Sequence, residues 1–158
     1  MIELEQKLLK ITPGYMPQFE DQIRRFSQFG GGAEDDKYTQ GRAFSNVYEF
    51  YIYAFFIGLY KNQRVDLTSE DKLKSFWDVG NWKPRELVNH MLAISIAESD
   101  FNMVEVEHID DVSVVREVKL VKGTIESFAN GGLMYIAKLI EEDPESVEHE
   151  DFFIKLLA

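Results

Sequence analysis

The chain has 158 residues, of which 45% are hydrophobic and 28% charged; this is the composition of one globular domain and excludes wholesale disorder. The absence of cysteine excludes thiolate zinc sites, iron–sulfur clusters, cysteine nucleophiles and disulfides. The net charge is −11, and residues 98–158 hold most of the excess, with 15 acidic against 5 basic side chains. Such an acidic chain disfavours nucleic-acid binding through its whole surface.

The first forty residues predict two short helices and a loop. Apolar spacing predicts a helix over 4–11 that ends at Pro13, and Pro17 opens a second helix that runs to Phe26. Residues 30–41 have no periodicity and several helix breakers, so we expect a loop there. The N-terminus has no basic region followed by an apolar run, so we expect no signal peptide and a cytoplasmic protein.

The most apolar stretch of the sequence runs from about Arg42 to Tyr60. From Phe50 onward it is apolar on nearly every side, which predicts a helix that is buried all round. The uninterrupted apolar run ends at Tyr60 and is much shorter than the roughly 20 residues that a membrane span needs. We therefore expect a central core helix over 42–60 and no membrane association.

The next segment predicts two more helices. Thr68, followed by an acidic turn, is a typical helix N-cap and predicts a helix through Trp77 that Gly80 ends. Pro84 is placed to open a further helix with apolar residues at helical spacing through Ile96.

Residues 101–122 allow two interpretations. Alternating valines on either side of Asp110 are compatible with a short hairpin near 103–120. A regular three-and-four spacing of apolar residues over 114–139 instead favours one long helix, with a break or kink at Asn130-Gly131-Gly132 as an alternative. We prefer the long helix, followed after Asp143-Pro144 by a last helix through Leu157. The sequence thus predicts an all-α protein, a single-domain bundle of six or seven helices over residues 1–158.

A metal site has little support in the sequence. Glu86 and His90 are four residues apart on a predicted helix and could share an ion, whereas His108 and His149 lie far away in the sequence. Residues 81–90 resemble the first metal-ligand helix of DinB-like four-helix bundles. That family also carries a later pair of histidines four residues apart, and this chain has no such pair. We therefore predict no metal and no cofactor.

The sequence contains no Gly-x-Ser-x-Gly turn and no phosphate-binding P-loop, so enzymatic function is the less favoured class. Aromatic residues make up 13% of the chain, more than one core helix can hide, and they favour a protein interface. Our leading hypothesis is a non-enzymatic interaction or accessory protein that self-associates or binds a protein partner. A metal-dependent helical-bundle enzyme is a second alternative.

The first alternative is a nucleic-acid-binding accessory protein. Its contacts would be basic residues of the near-neutral N-terminal part and two tryptophans on which bases could stack. These candidates are Arg24, Arg25, Arg42, Arg64, Lys72, Lys74, Lys83, Trp77 and Trp82. The hypothesis requires several of them to converge on one face beside a tryptophan.

Overall fold

The computed structural model describes residues 2–27, 43–68, 70–100 and 111–157. Within these ranges the protein is mostly helical, as predicted, with six α-helices and one two-stranded antiparallel sheet. The helices are α1 Ile2–Leu9, α2 Glu20–Phe26, α3 Val47–Tyr60, α4 Arg85–Glu98, α5 Asp111–Glu142 and α6 Phe152–Lys155. The sheet pairs β1 Gly14–Tyr15 with β2 Lys74–Ser75, and 3-10 turns cover Pro17–Phe19, Val79–Asn81 and Ser146–Glu148.

The long helices α3 and α5 lie against each other at the centre of the core. Phe50, Ala54 and Phe55 of α3 are completely buried, which confirms the prediction of an aromatic-rich core helix. The prediction that it is buried all round is wrong, because Tyr53 and Phe56 are only partly buried and Tyr60 is 67% exposed. The helix begins at Val47 rather than near Arg42, because Asn46 has an extended backbone. Arg42 itself and the predicted loop over 30–41 lie outside the described residues.

The two helices approach so closely because glycines lie at their contact. A Cβ atom on Gly132 of α5 would overlap the carbonyl oxygen of Ala54, and one on Gly58 of α3 would overlap that of Phe128. Only glycine lacks the atom that would keep the two backbones apart.

Helix α5 is one continuous element of 32 residues. The prediction of a long helix is therefore confirmed, and the alternative hairpin near 103–120 is wrong for residues 111–120; residues 101–110 lie outside the described ranges. Asn130-Gly131-Gly132 does not end the helix, because all three residues are buried against neighbouring chain segments.

The predicted helix from Thr68 through Trp77 is wrong. Thr68 does form a cap-like turn, in which its N–H donates to Asp71 Oδ2 at 2.7 Å, but the chain then continues in extended form into β2. Extended backbone lets Phe76 stack on the ring of Trp82, with centroids 5.3 Å apart, while both rings contact Tyr51 of α3. Tertiary packing of these aromatic rings has overridden the local helix signal.

The helix predicted after Pro84 is confirmed as α4. The last predicted helix is present only as two short pieces, a 3-10 turn over Ser146–Glu148 and the four-residue helix α6. Within the ranges described above, no helix combines the length and the apolar character that crossing a membrane requires.

Candidate functional site

An apolar groove of about 500 Å³ lies between α3 and α4. Ile52, Tyr53 and Phe56 of α3 form one side. The large apolar side chains of its lining that stay exposed are Tyr60, Leu87 and Leu157. Of the large apolar side chains that stay exposed in the described ranges, Ile154 is the most exposed at 72%, and it lies one helical turn before Leu157. This groove is therefore bordered by unusually exposed apolar surface.

Three polar side chains of this groove, Glu49, Tyr53 and His90, contact neighbouring residues. Glu49 accepts hydrogen bonds from the N–H of Ser45 at 3.0 Å and from its hydroxyl at 2.8 Å. The ring of His90 stacks on Phe56 with a centroid distance of 6.0 Å. The Tyr53 hydroxyl donates to the carbonyl of Phe153, and burial raises its pKa. The groove thus offers apolar contact area rather than a nucleophile next to a base.

A second depression, a polar cleft of about 560 Å³, lies between α5 and the extended segment 64–73. Two reciprocal hydrogen bonds hold this segment against the helix. The Val65 N–H donates to the Ser127 carbonyl at 3.1 Å, and the Ser127 hydroxyl donates to the Val65 carbonyl at 2.9 Å. Three basic side chains, Arg64, Lys119 and Lys122, line the cleft together with Glu126.

Glu126 belongs to a buried hydrogen-bond network that joins β1 to α5 and α3. Its Oε2 atom accepts from the Gly14 N–H at 2.9 Å, and the Tyr51 hydroxyl donates to the Gly14 carbonyl at 2.8 Å. The Asn130 Oδ1 atom accepts from the Met16 N–H at 2.8 Å, and its Nδ2 donates to the Glu126 carbonyl at 2.8 Å. Burial raises the pKa of the Glu126 carboxyl, and the Gly14 N–H and Lys122 oppose that rise.

The sequence did not lead us to this network or to the polar cleft. The available signal was the spacing of Glu126 and Asn130, which lie one turn apart in the buried part of α5. Polar residues at such positions need hydrogen-bond partners from elsewhere in the chain. In this protein Gly14 and Met16 supply those partners across more than 110 residues of sequence.

The basic residues of the nucleic-acid hypothesis lie in different surroundings. Arg25, Arg64 and Lys83 line three separate depressions. Arg24 and Lys74 both contact the carboxylate of Glu20, at 3.4 and 2.6 Å. Lys72 is exposed, and Arg42 lies outside the described residues.

The two tryptophans of that hypothesis differ in exposure. Trp77 is 50% exposed, whereas Trp82 is 1% exposed and donates its indole N–H to the Trp77 carbonyl at 3.1 Å. Trp82 is a core residue, because its ring packs on Phe76, Tyr48 and Tyr51, and it has no face left for a base.

Glu86, His90 and His149 do not form a metal-ligand set with one another. Glu86, His90 and His149 are exposed, and His108 lies outside the described residues. In the part of the chain that the structure covers, no three His, Asp or Glu side chains are arranged to hold a metal ion.

The chain matches no known protein family, no curated protein and no solved structure. Its own geometry is therefore the basis for any functional statement.

Proposed function

We propose that the protein is a non-enzymatic interaction protein that self-associates, and that the apolar groove between α3 and α4 is where two copies meet. The observation that carries this proposal is the exposed apolar side chains along the groove: Tyr60 is 67% exposed, Leu157 49% and Leu87 38%. A patch of this kind on a folded domain is typical of a protein contact. In this proposal residues 1–158 act as one cytoplasmic domain, a helical bundle built around α3.

A second copy of the chain fits the groove better than an unrelated partner does, because the groove has an exposed apolar ridge beside it. Leu157 lines the groove just after α6, and the exposed Ile154 precedes it by three residues; we call these two side chains the ridge. In a two-fold arrangement the same patch serves both subunits, so the ridge of each copy would enter the groove of the other. Lys83 and Glu49, which both line the groove, have opposite charges, so the acidic excess of the chain does not oppose the contact locally.

The alternatives have less support. The nucleic-acid hypothesis requires Trp82 to stack on a base, but Trp82 is buried in the core. Its basic residues Arg25, Arg64 and Lys83 line three separate depressions rather than one surface. The metal-enzyme hypothesis rested on Glu86 and His90, and His90 packs its ring against Phe56.

The proposal is tested by measuring the mass of the protein in solution by light scattering over a range of concentrations. We expect a dimer at about 10 μM, a concentration at which a micromolar contact is largely formed. Replacing Leu87 by Glu places a charge in the groove and should produce a monomer with an unchanged circular dichroism spectrum.

Met134→Glu is the matched control, because Met134 is also partly exposed, at 42%, but lies on α5 away from the groove. It should leave the dimer intact. A wild-type protein that stays monomeric up to about 100 μM, well above a micromolar dissociation constant, would contradict the proposal. Equal loss of the dimer in Leu87→Glu and Met134→Glu would also contradict the proposal.

A further inference from the structure

We propose that the polar cleft between α5 and residues 64–73 binds a small organic acid that carries a hydroxyl or ammonium group near its anionic group. This site is separate from the groove, and no part of the self-association proposal depends on it.

The cleft carries charges of both signs: three basic side chains line it together with Asp66, Asp71 and Glu126. Arg64, Lys119 and Lys122 line it, and none of them forms an ion pair within the described part of the chain. Arg64 is held in place by its contact with the Phe128 ring, whose centroid is 4.6 Å from the guanidinium carbon. A cleft with both signs of charge suits a ligand that has an anionic group for the basic side chains and a hydrogen-bond donor for a carboxylate.

Glu126 gives the cleft a second, different recognition group. It is only 9% exposed, and it lines the cleft. Its Oε2 atom is occupied by the Gly14 N–H, whereas its Oε1 atom has no hydrogen-bond donor among the residues that the structure describes. A buried carboxyl oxygen without a donor is costly, and a ligand hydroxyl or ammonium group would supply the missing hydrogen bond.

The distance along α5 sets the expected size of the ligand. Lys119, Lys122 and Glu126 follow one another at three- and four-residue spacing, so they lie on one face of the helix. A molecule that spans one turn, about 5.4 Å, can place its anionic group at the lysines and its donor at Glu126. The cleft volume of about 560 Å³ is in the range of small-molecule sites.

The other two acidic side chains that line the cleft are Asp66 and Asp71. Asp71 is engaged with its own turn, where its Oδ2 atom accepts from the Thr68 N–H at 2.7 Å and from the Thr68 hydroxyl at 3.3 Å. Asp66 is exposed to solvent on the segment opposite the helix. Neither aspartate forms a salt bridge with Lys119 or Lys122 in the described part of the chain.

The test is an NMR titration of the ¹⁵N-labelled protein with four probes: malate, glycerol 3-phosphate, inorganic phosphate and glycerol. Malate and glycerol 3-phosphate combine an anionic group with a hydroxyl and distinguish a carboxylate from a phosphate ligand. We expect at least one of them to shift the amide signals of residues 64–68 and 119–127 with a dissociation constant of about 1 mM or lower. Phosphate should bind about tenfold more weakly, and glycerol should cause no shift.

Three variants assign the contacts. Lys122→Gln and Arg64→Gln should each weaken binding of the organic acid about fivefold. Glu126→Gln keeps an acceptor for the Gly14 N–H, so we expect it to fold. It should weaken the organic acid about tenfold, whereas phosphate should bind no more weakly, because the substitution removes a negative charge beside Lys122. Lys138→Gln, the same loss of charge at an exposed position of α5, is the matched control and should have no effect.

Three outcomes would overturn the proposal. The first is the absence of shifts in the cleft with every probe at about 10 mM, which is above the dissociation constant of a weak metabolite site. The second is equal binding of phosphate and both organic acids, which would leave Glu126 without a role. The third is an equal effect of Lys122→Gln and Lys138→Gln, which would indicate general attraction of anions.

Discussion

Gly58, Gly131 and Gly132 determine how closely neighbouring backbone can approach at the centre of the molecule. A Cβ atom at Gly131 would overlap the carbonyl of Gln63, in the segment that follows α3. Asn62, with a positive φ of 52°, turns the chain after the end of α3 and brings Gln63 against α5. The Gln63 N–H donates to the Gly58 carbonyl at 2.8 Å. Asparagine tolerates this left-handed backbone better than most residues.

Gly132→Ala should destabilise the protein by about 1–3 kcal/mol or more, because the new methyl group would collide with the backbone of Ala54 rather than with a side chain that can move. Gly123→Ala is the matched control on the same helix: its Cβ position has no atom within 4 Å. It should increase the free energy of unfolding by about 0.5–1 kcal/mol, since alanine is the better helix former. Urea denaturation measures both changes in the free energy of unfolding. If both variants were more stable, or both less stable, than the wild type, the close contact of Gly132 with Ala54 would be contradicted.

Glu126 should make stability depend on pH in a defined direction. Burial raises the pKa of its carboxyl above 4.5, so the folded protein binds this proton more tightly than the unfolded chain. The contribution of Glu126 to stability therefore falls as the pH rises from about 4.5 through the folded pKa, and it is constant above that pH. Glutamine cannot ionise, so Glu126→Gln should gain stability relative to the wild type across this window.

Urea denaturation at a series of pH values measures this difference. Glu141→Gln, the same substitution at an exposed position of α5, is the control. A difference that instead grows in favour of the wild type with rising pH would show that the Gly14 hydrogen bond and Lys122 outweigh burial.

At the scale of elements, Phe55 tests whether α3 is the central core helix. Its side chain is completely buried and packs edge-on against Phe56 and Phe128, with centroid distances of 5.2 and 5.7 Å. Phe55→Ala should reduce the free energy of unfolding by about 3–5 kcal/mol, as the loss of a buried phenyl ring leaves a cavity. Met134→Ala, at an exposed position, should change it by about 0.5 kcal/mol or less. A Phe55→Ala melting temperature within a few degrees of wild type would contradict this placement.

The sequence predicted those elements whose apolar periodicity is long. Helix α5 kept its three-and-four spacing over 114–139, and α3 was apolar on all sides, so both were identified before the structure. The segment 64–81 could not be predicted, because its conformation depends on β1 and on the ring of Tyr51, which are remote in sequence.

The candidate sites were harder to predict for the same reason. The polar cleft exists because Val65 is hydrogen-bonded to Ser127. These two residues are 62 positions apart in the sequence, and no local sequence pattern indicates that they pair. The groove was anticipated only as a surplus of aromatic residues. The residues that border it, Tyr60, Leu87 and Leu157, come from three distant segments and could not be grouped from the sequence.

At the scale of the whole molecule, charge is unevenly distributed. Exposed carboxylates follow one another at the end of α5 and beyond it: Glu141, Glu142, Asp143, Glu145, Glu148, Glu150 and Asp151. The ion pair of Lys155 with Asp151 at 3.2 Å is exposed and contributes about 0–1 kcal/mol. Glu141 and Glu142 also lie at the negative end of the helix dipole, where acidic side chains are unfavourable.

This distribution predicts that salt stabilises the protein. Raising NaCl shortens the screening distance from about 30 Å at 0.01 M to about 10 Å at 0.1 M, which weakens repulsion among the carboxylates. The melting temperature should therefore rise by several degrees over this range, and tetramethylammonium chloride should act equally, because screening does not depend on the identity of the cation.

Glu142→Lys should raise the melting temperature at low salt and reduce its salt response, since it removes a negative charge from the cluster and places a positive charge at the negative end of the helix dipole. Glu86→Lys, in the first turn of α4, makes the same charge change where the dipole favours an acid, so it should stabilise less. A melting temperature that falls with added salt would show that attractive ion pairs, and not repulsion, dominate the electrostatics of the folded chain.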